Sequence, residues 1–105
     1  MTVKLTLDAI ERMVKACESS SETKRLQIYA TTKVLTDELA EYAESHGLPH
    51  GYIREKIVDL LSACRGLAYL EDRGSRDDSW YTVQAYGALQ SLSSPLCFNV
   101  RSSSA

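Results

Sequence analysis

The chain has 105 residues, the size of one domain with one core, and folding at this length hides roughly two thirds of the surface that the unfolded chain exposes. Twelve basic against fourteen acidic residues leave a formal charge of -2, which excludes a global cationic field for nucleic acid or anionic lipid and leaves such binding to a local patch. The three cysteines, Cys17, Cys64 and Cys97, are odd in number and form no CxxC pair, which fits buried thiols in a reducing compartment, the cytoplasm, better than a disulfide framework.

Residues 1–13 carry Lys4, Asp8, Glu11 and Arg12 and lack the continuous apolar run of a secretory signal. Leu7, Ile10, Val14 and Cys17 then recur at three- and four-residue spacing, which predicts a helix over 6–19 with Asp8 and Glu11 near the positive end of its dipole. The stretch SSSETKR, residues 19–25, follows. A serine there can cap the next helix, and Ser19 with Glu22 has the spacing of a capping box. The same serines with Lys24 and Arg25 would suit an anion, but serine-rich helix starts are ordinary and no glycine loop accompanies these.

The next helix is expected over 22–46, with Ile28, Thr32, Leu35, Leu39, Tyr42 and His46 on one face and Lys33, Asp37, Glu41 and Glu44 on the other. Another is expected over 51–72, where Ile53, Ile57, Leu60, Cys64 and Leu67 form a matching stripe. Between them lies ESHGLPHGY, residues 44–52. Gly47 stands where a helix end needs a left-handed residue and Pro49 suits a new start, so the motif reads as a turn and the two helices as an antiparallel hairpin. A metal site would need three or four convergent ligands, and the spacing here offers only His46 and His50. His46 is instead expected to end the buried stripe, at the helix terminus whose dipole favours it.

No GxSxG, HExxH, P-loop or Gly-rich dinucleotide turn occurs, so no residue is assigned a catalytic role and no cofactor or metal is expected. Cys64 has Arg65 beside it but lies on the core stripe, which favours inert burial.

Residues 79–100 contain no Asp, Glu, Lys, Arg or His, although a quarter of the chain is charged. The Gln, Ser, Asn and Pro content of the segment argues against a membrane span. A helix is expected over 78–92, followed by a tail over 93–105. Tyr81, Ala85, Ala88, Leu89 and Leu92 make one apolar stripe, while Trp80, Val83 and Gly87, bordered by Gln84, Tyr86 and Gln90, make a second on the far side. A soluble helix with two uncharged faces is either sandwiched in its own fold or covered by another chain. The third helix adds Val58 and Tyr69 on one flank and Tyr52, Ala63 and Leu70 on another, with Ser62 and Gly66 small enough to admit a neighbour.

The expected architecture is therefore a small all-α bundle built on a long antiparallel hairpin with flanking helices. The expected role is binding of another protein without catalysis, together with self-association, as in a small regulatory protein. Trp80, Val83, Tyr86 and Gly87 would supply apolar anchors, and Asp37, Glu41 and Glu44 would select a basic partner. The alternative is a module for a small anionic ligand or nucleic acid, using Arg54, Arg65, Arg73 and Arg76 with stacking from Tyr52 or Tyr69.

Overall fold

A computed structural model describes residues 3–98 of the chain. They form an all-α bundle of four helices, α1 (Val3–Ala16), α2 (Glu22–Ser45), α3 (His50–Leu67) and α4 (Asp78–Ser93), with a 3-10 turn at Cys17–Ser19 and a π turn at Ser94–Phe98. The bundle measures 45 × 21 × 18 Å, its long dimension set by α2, whose 24 residues rise about 36 Å.

α1 begins three residues before the expected start. Val3 is buried and extends the stripe Leu7, Ile10, Val14, Cys17 by one more turn. At the other end Ser19 and Ser20 donate hydroxyl hydrogen bonds back to the Ala16 carbonyl, at 3.2 and 2.7 Å. Ser19 is therefore not the cap of α2. That place belongs to Ser21, whose hydroxyl accepts from the Lys24 amide at 3.2 Å, because the 3-10 turn uses up the serines before it.

The inward face of α2 keeps Ile28, Thr32 and Leu39 of the expected stripe but is centred toward Thr36, Ala40 and Ala43. Arg25, Ile28, Thr32, Thr36, Leu39, Ala40 and Ala43 are buried, while Leu35 and Tyr42 are only half-buried beside them. Small side chains at 36, 40 and 43 let neighbouring helices come close, and the larger Leu35 and Tyr42 fill the margin. His46 is exposed rather than buried. It stacks on Tyr42 with ring centroids 4.0 Å apart, and its Nδ1 lies 2.9 Å from the Tyr42 carbonyl, covering the frayed end of the helix. Gly47, at φ +68°, takes the left-handed position, and the Leu48 amide closes onto the Ala43 carbonyl at 2.9 Å. Leu48 is thereby buried, and the chain reverses into α3.

α3 ends at Leu67, five residues before the expected stop. The residue that turns it is Tyr69, the one described non-glycine residue with positive φ, at 59°. The Leu70 amide then reaches back to the Arg65 carbonyl at 3.0 Å and the Tyr69 amide to that of Gly66 at 3.2 Å, a helix stop ordinarily built on glycine. The guanidinium groups of Arg73 and Arg25 lie 4.7 and 5.1 Å from the Tyr69 ring and hold it there.

α4 turns Tyr81, Ala85, Ala88, Leu89 and Leu92 inward. Winding continues past 93, where a tail had been expected: Pro95 cannot donate into an α-helical ladder, the turn widens into π geometry, and the wholly buried Leu96 is drawn into the core. The remainder of the expected tail, residues 99–105, lies outside the described residues. α3 packs most extensively against α4, ahead of its hairpin partner α2. Gly66 is the reason for this close approach, since a Cβ placed there would overlap the ring of Tyr81.

Leu39 and Leu60 are wholly buried, so Leu39→Ala and Leu60→Ala are each expected to cost about 2–5 kcal/mol in chemical denaturation. Gly66→Ala should cost about 1–3 kcal/mol through overpacking against Tyr81. A loss below about 0.5 kcal/mol at all three positions, typical of exposed surface, would refute this packing.

Candidate functional site

The surface that stands out is a groove along the α3–α4 seam, and its position is set by an ion pair beneath one end. Arg25 is buried and spends all five of its N–H donors. Nε donates to the Ser20 carbonyl (3.2 Å), Nη1 to the Leu67 carbonyl (3.0 Å) and Asp78 Oδ1 (2.9 Å), and Nη2 to the Glu18 carbonyl (3.4 Å) and Asp78 Oδ2 (3.0 Å). Arg73 Nη2 adds a bond to Asp78 Oδ1 at 2.9 Å. The hydrogen bonds from Arg25, then those from Arg73, hold the Asp78 carboxyl below its ordinary range, against the opposing effect of burial. Asp77 caps α4 by accepting from the Trp80 amide at 3.0 Å, and Asp78 at the first helical position also favours the dipole.

With α4 fixed in this way, its second face looks outward. Trp80 and Val83 are 43% and 64% exposed. Gly87 is also exposed, and a Cβ built on it would meet nothing within 4 Å. A glycine inside a helix costs roughly 0.5–1 kcal/mol relative to alanine, and nothing among the described residues requires one at 87. The groove beside this face has a volume of about 740 Å³. α4 contributes Trp80, Val83, Gln84, Gly87 and Ser91, while α3 contributes Lys56, Asp59 and Ser62. Glu71 and Arg76 close the end nearest the start of α4. Arg76 is pinned on this rim, donating to the Arg73 and Asp72 carbonyls at 3.0 and 3.1 Å with its guanidinium 5.0 Å from the Trp80 ring. At the far end Lys56 Nζ lies 3.7 Å from Asp59 and 5.4 Å from the Tyr52 ring.

Of the anchors expected from sequence, Trp80, Val83 and Gly87 share this groove and Tyr86 does not. Tyr86 is half-buried in a depression toward α1 with Leu7, Asp8 and Glu11, where burial, followed by the charges of Glu11 and Glu18, raises its phenol pKa. Asp37, Glu41 and Glu44 are exposed on α2, and no α2 residue lines the groove. Of the basic residues of the alternative reading, Arg73 and Arg76 meet at one end of the groove, both against the Tyr81 ring, and Arg54 and Arg65 do not join each other. Arg54 pairs with Glu44 at 3.3 Å, Arg65 is exposed eleven positions along α3, about 16 Å away at the helical rise, and Arg73 is committed to Asp78. Tyr69 stacks with Arg73, whereas Tyr52 sits at the opposite end of α3. Val58 and Leu70 are exposed and Ala63 is buried.

Sequence reasoning missed Arg25 and Asp78 as a pair. The available signal was the position of Arg25 itself, three residues before Ile28 on the buried stripe. Burial pushes the Cys64 thiol up to about 12, with a smaller contribution from Cys17, so it is protonated at neutral pH and is no nucleophile. Among the described residues no group of three or more His, Cys, Asp or Glu is placed to hold a metal ion, and no helix is long and apolar enough to cross a membrane. No family model, curated protein or solved structure matches the chain.

Asp78→Asn is expected to cost about 3 kcal/mol at neutral pH, because it strips the carboxylate from a buried guanidinium. The folded pKa is depressed, so the stabilisation is full above the unfolded value of about 4 and is lost as pH falls through the folded value. Wild type and Asp78→Asn melts followed by circular dichroism should therefore converge on acidification; a constant gap would refute the assignment. Gly87→Ala should leave the fold intact and stabilise the isolated chain by about 0.5–1 kcal/mol, opposite in sign to Gly66→Ala.

Proposed function

We propose that the chain is a small regulatory protein without catalytic activity that works by binding another protein through the α3–α4 groove. One observation carries the reading: an uncharged outward helix face presents Trp80 and Val83 to solvent around a glycine that no described residue requires. Aromatic anchors beside small residues suit a helix or apolar segment of a partner, with the charged rim excluding water around them. The acidic surface of Asp37 and Glu41 would then serve encounter rather than the contact itself. The ion pairs of Arg54 with Glu44 and of Arg73 with Asp78 weigh against the nucleic-acid alternative, which needs a continuous track of free cations. Three free cysteines, two of them buried, support a reducing compartment such as the cytoplasm.

A photo-crosslinking amino acid at Val83, in the full chain expressed in its native cells, tests this. Val34, comparably exposed on α2, is the control position. A discrete protein adduct is expected at Val83 and not at Val34. No adduct at Val83, or salt-sensitive binding of a single-stranded oligonucleotide that is lost on Arg65→Glu, would overturn the proposal.

A further inference from the structure

A separate groove, between α1 and α2, carries charge of one sign, and we infer that it binds an acidic amphipathic helix of a partner protein, as a docking surface independent of the α3–α4 groove. Ala9, Met13 and Ala16 of α1 and Ile28 of α2 give it an apolar lining, and its two charged side chains, Arg12 and Lys24, are both cations. Its volume is about 410 Å³. The lining comes from residues 9–16 of α1 and 24–31 of α2, two turns of each helix, so the trough is about 10 Å long. That length suits two turns of a third helix laid along it, with apolar side chains against the lining and carboxylates at the margins.

Within the chain alone the two cations are poorly placed. Arg12 follows Asp8 by four residues, the spacing at which opposite charges pair on a helix, yet among the described residues neither Arg12 nor Lys24 makes an ion pair. Asp8 belongs instead to the depression on the other flank of α1, with Leu7 and Glu11. The charges of α1 are thus sorted by sign between its two flanks. Lys24 lies in the first turn of α2, at the end of the helix dipole that repels a cation. Both side chains are exposed, so a chain of net charge -2 here offers positive potential over an apolar surface. A carboxylate between the two cations relieves their repulsion and offsets the dipole. A small inorganic anion would leave the apolar lining uncovered, and an anionic bilayer would also meet the carboxylates on the other flank of α1. An acidic helix satisfies both the charge and the lining.

Two fluorescein-labelled helical peptides of about 14 residues, roughly four turns, test this with the full chain. Both carry leucines at positions i, i+4 and i+7, flanked by glutamates in one peptide and by lysines in the other. Fluorescence anisotropy should show the glutamate peptide bound about tenfold more tightly than its lysine twin, and Arg12→Glu combined with Lys24→Glu should reverse that order. Lys33→Glu, which changes an exposed cation of α2 outside the groove, should keep the order of wild type. In protein labelled with 13C-methyl methionine, the Met13 resonance should shift when the glutamate peptide is added. If the double reversal loses its helical circular dichroism, Arg12→Gln combined with Lys24→Gln reads the same contact and should bring the two peptides to equal affinity. Failure of the glutamate peptide to bind wild type below about 0.5 mM, equal affinity of wild type for both peptides, a preference that survives loss of both cations, or binding that leaves Met13 unmoved would overturn the inference. Binding of phosphatidylglycerol vesicles, or a dimer in sedimentation equilibrium, that is lost with the two cations while the glutamate peptide stays unbound would assign the groove to a lipid surface or to a second copy instead.

Discussion

The fold turns on one guanidinium. Arg25 is buried and ties together the turn after α1, the last carbonyl of α3 and the first residue of α4. Removing such a group from water costs several kcal/mol, and the cost is offset only when every donor finds an acceptor and a carboxylate neutralises the charge. Both conditions hold, since five N–H groups meet three backbone carbonyls and both oxygens of Asp78. The paired geometry also fixes distance and orientation, as an apolar contact at the same place would not. The hydrophobic stripes decide that four helices pack, and Arg25 decides where three of their ends must lie.

The rotation of α4 follows from this restraint. With Asp78 held beside the Leu67 carbonyl, Tyr81 arrives three residues later against Gly66, the residue just before Leu67. Helical periodicity then carries Ala85, Ala88 and Leu92 inward and leaves Trp80, Val83 and Gly87 outward. The conformation of Tyr69 belongs to the same unit, because the arginines that bracket Asp78 also stack on its ring and stabilise a left-handed backbone that a β-carbon opposes. A face available for binding is thus presented by an electrostatic knot at the end of the groove.

Much of the fold was legible because its signals are local. The spacing in α1 and α4, the left-handed Gly47 and the start of α4 depend on residues within a few positions of one another. The errors share a different character. Arg25 reads from sequence only as part of a serine-rich helix start with Lys24, because the partners that bury it, Leu67 and Asp78, lie 42 and 53 positions away. α3 ends earlier than its pattern predicts because an arginine-stacked tyrosine replaces the glycine that usually marks such an end. The α2 stripe departs from expectation where the large side chains Leu35 and Tyr42 define the pattern and packing buries the smaller Thr36 and Ala43 instead. In the groove, Trp80, Val83 and Gly87 could be read from the absence of charge. The charged ends could not, since Lys56 and Asp59 meet the groove only once α3 is laid against α4.

The two glycines at 66 and 87 show how an internal constraint and an external one can be told apart. Both place within a helix a residue that costs roughly 0.5–1 kcal/mol there relative to alanine. Gly66 is accounted for inside the molecule, where the Tyr81 ring occupies the space of its missing side chain. Gly87 has open space in the same position. A helix without charge after its first residue, carrying an exposed tryptophan and a glycine beside open space, is stabilised chiefly by the face it buries, and its outer face adds little to the isolated chain. That combination is poor for a free surface and good for a contact, because backbone left uncovered by a missing side chain lets another helix approach at short range. The core therefore accounts for the buried residues of α4, and Trp80, Val83 and Gly87 are left together on the side that faces the groove.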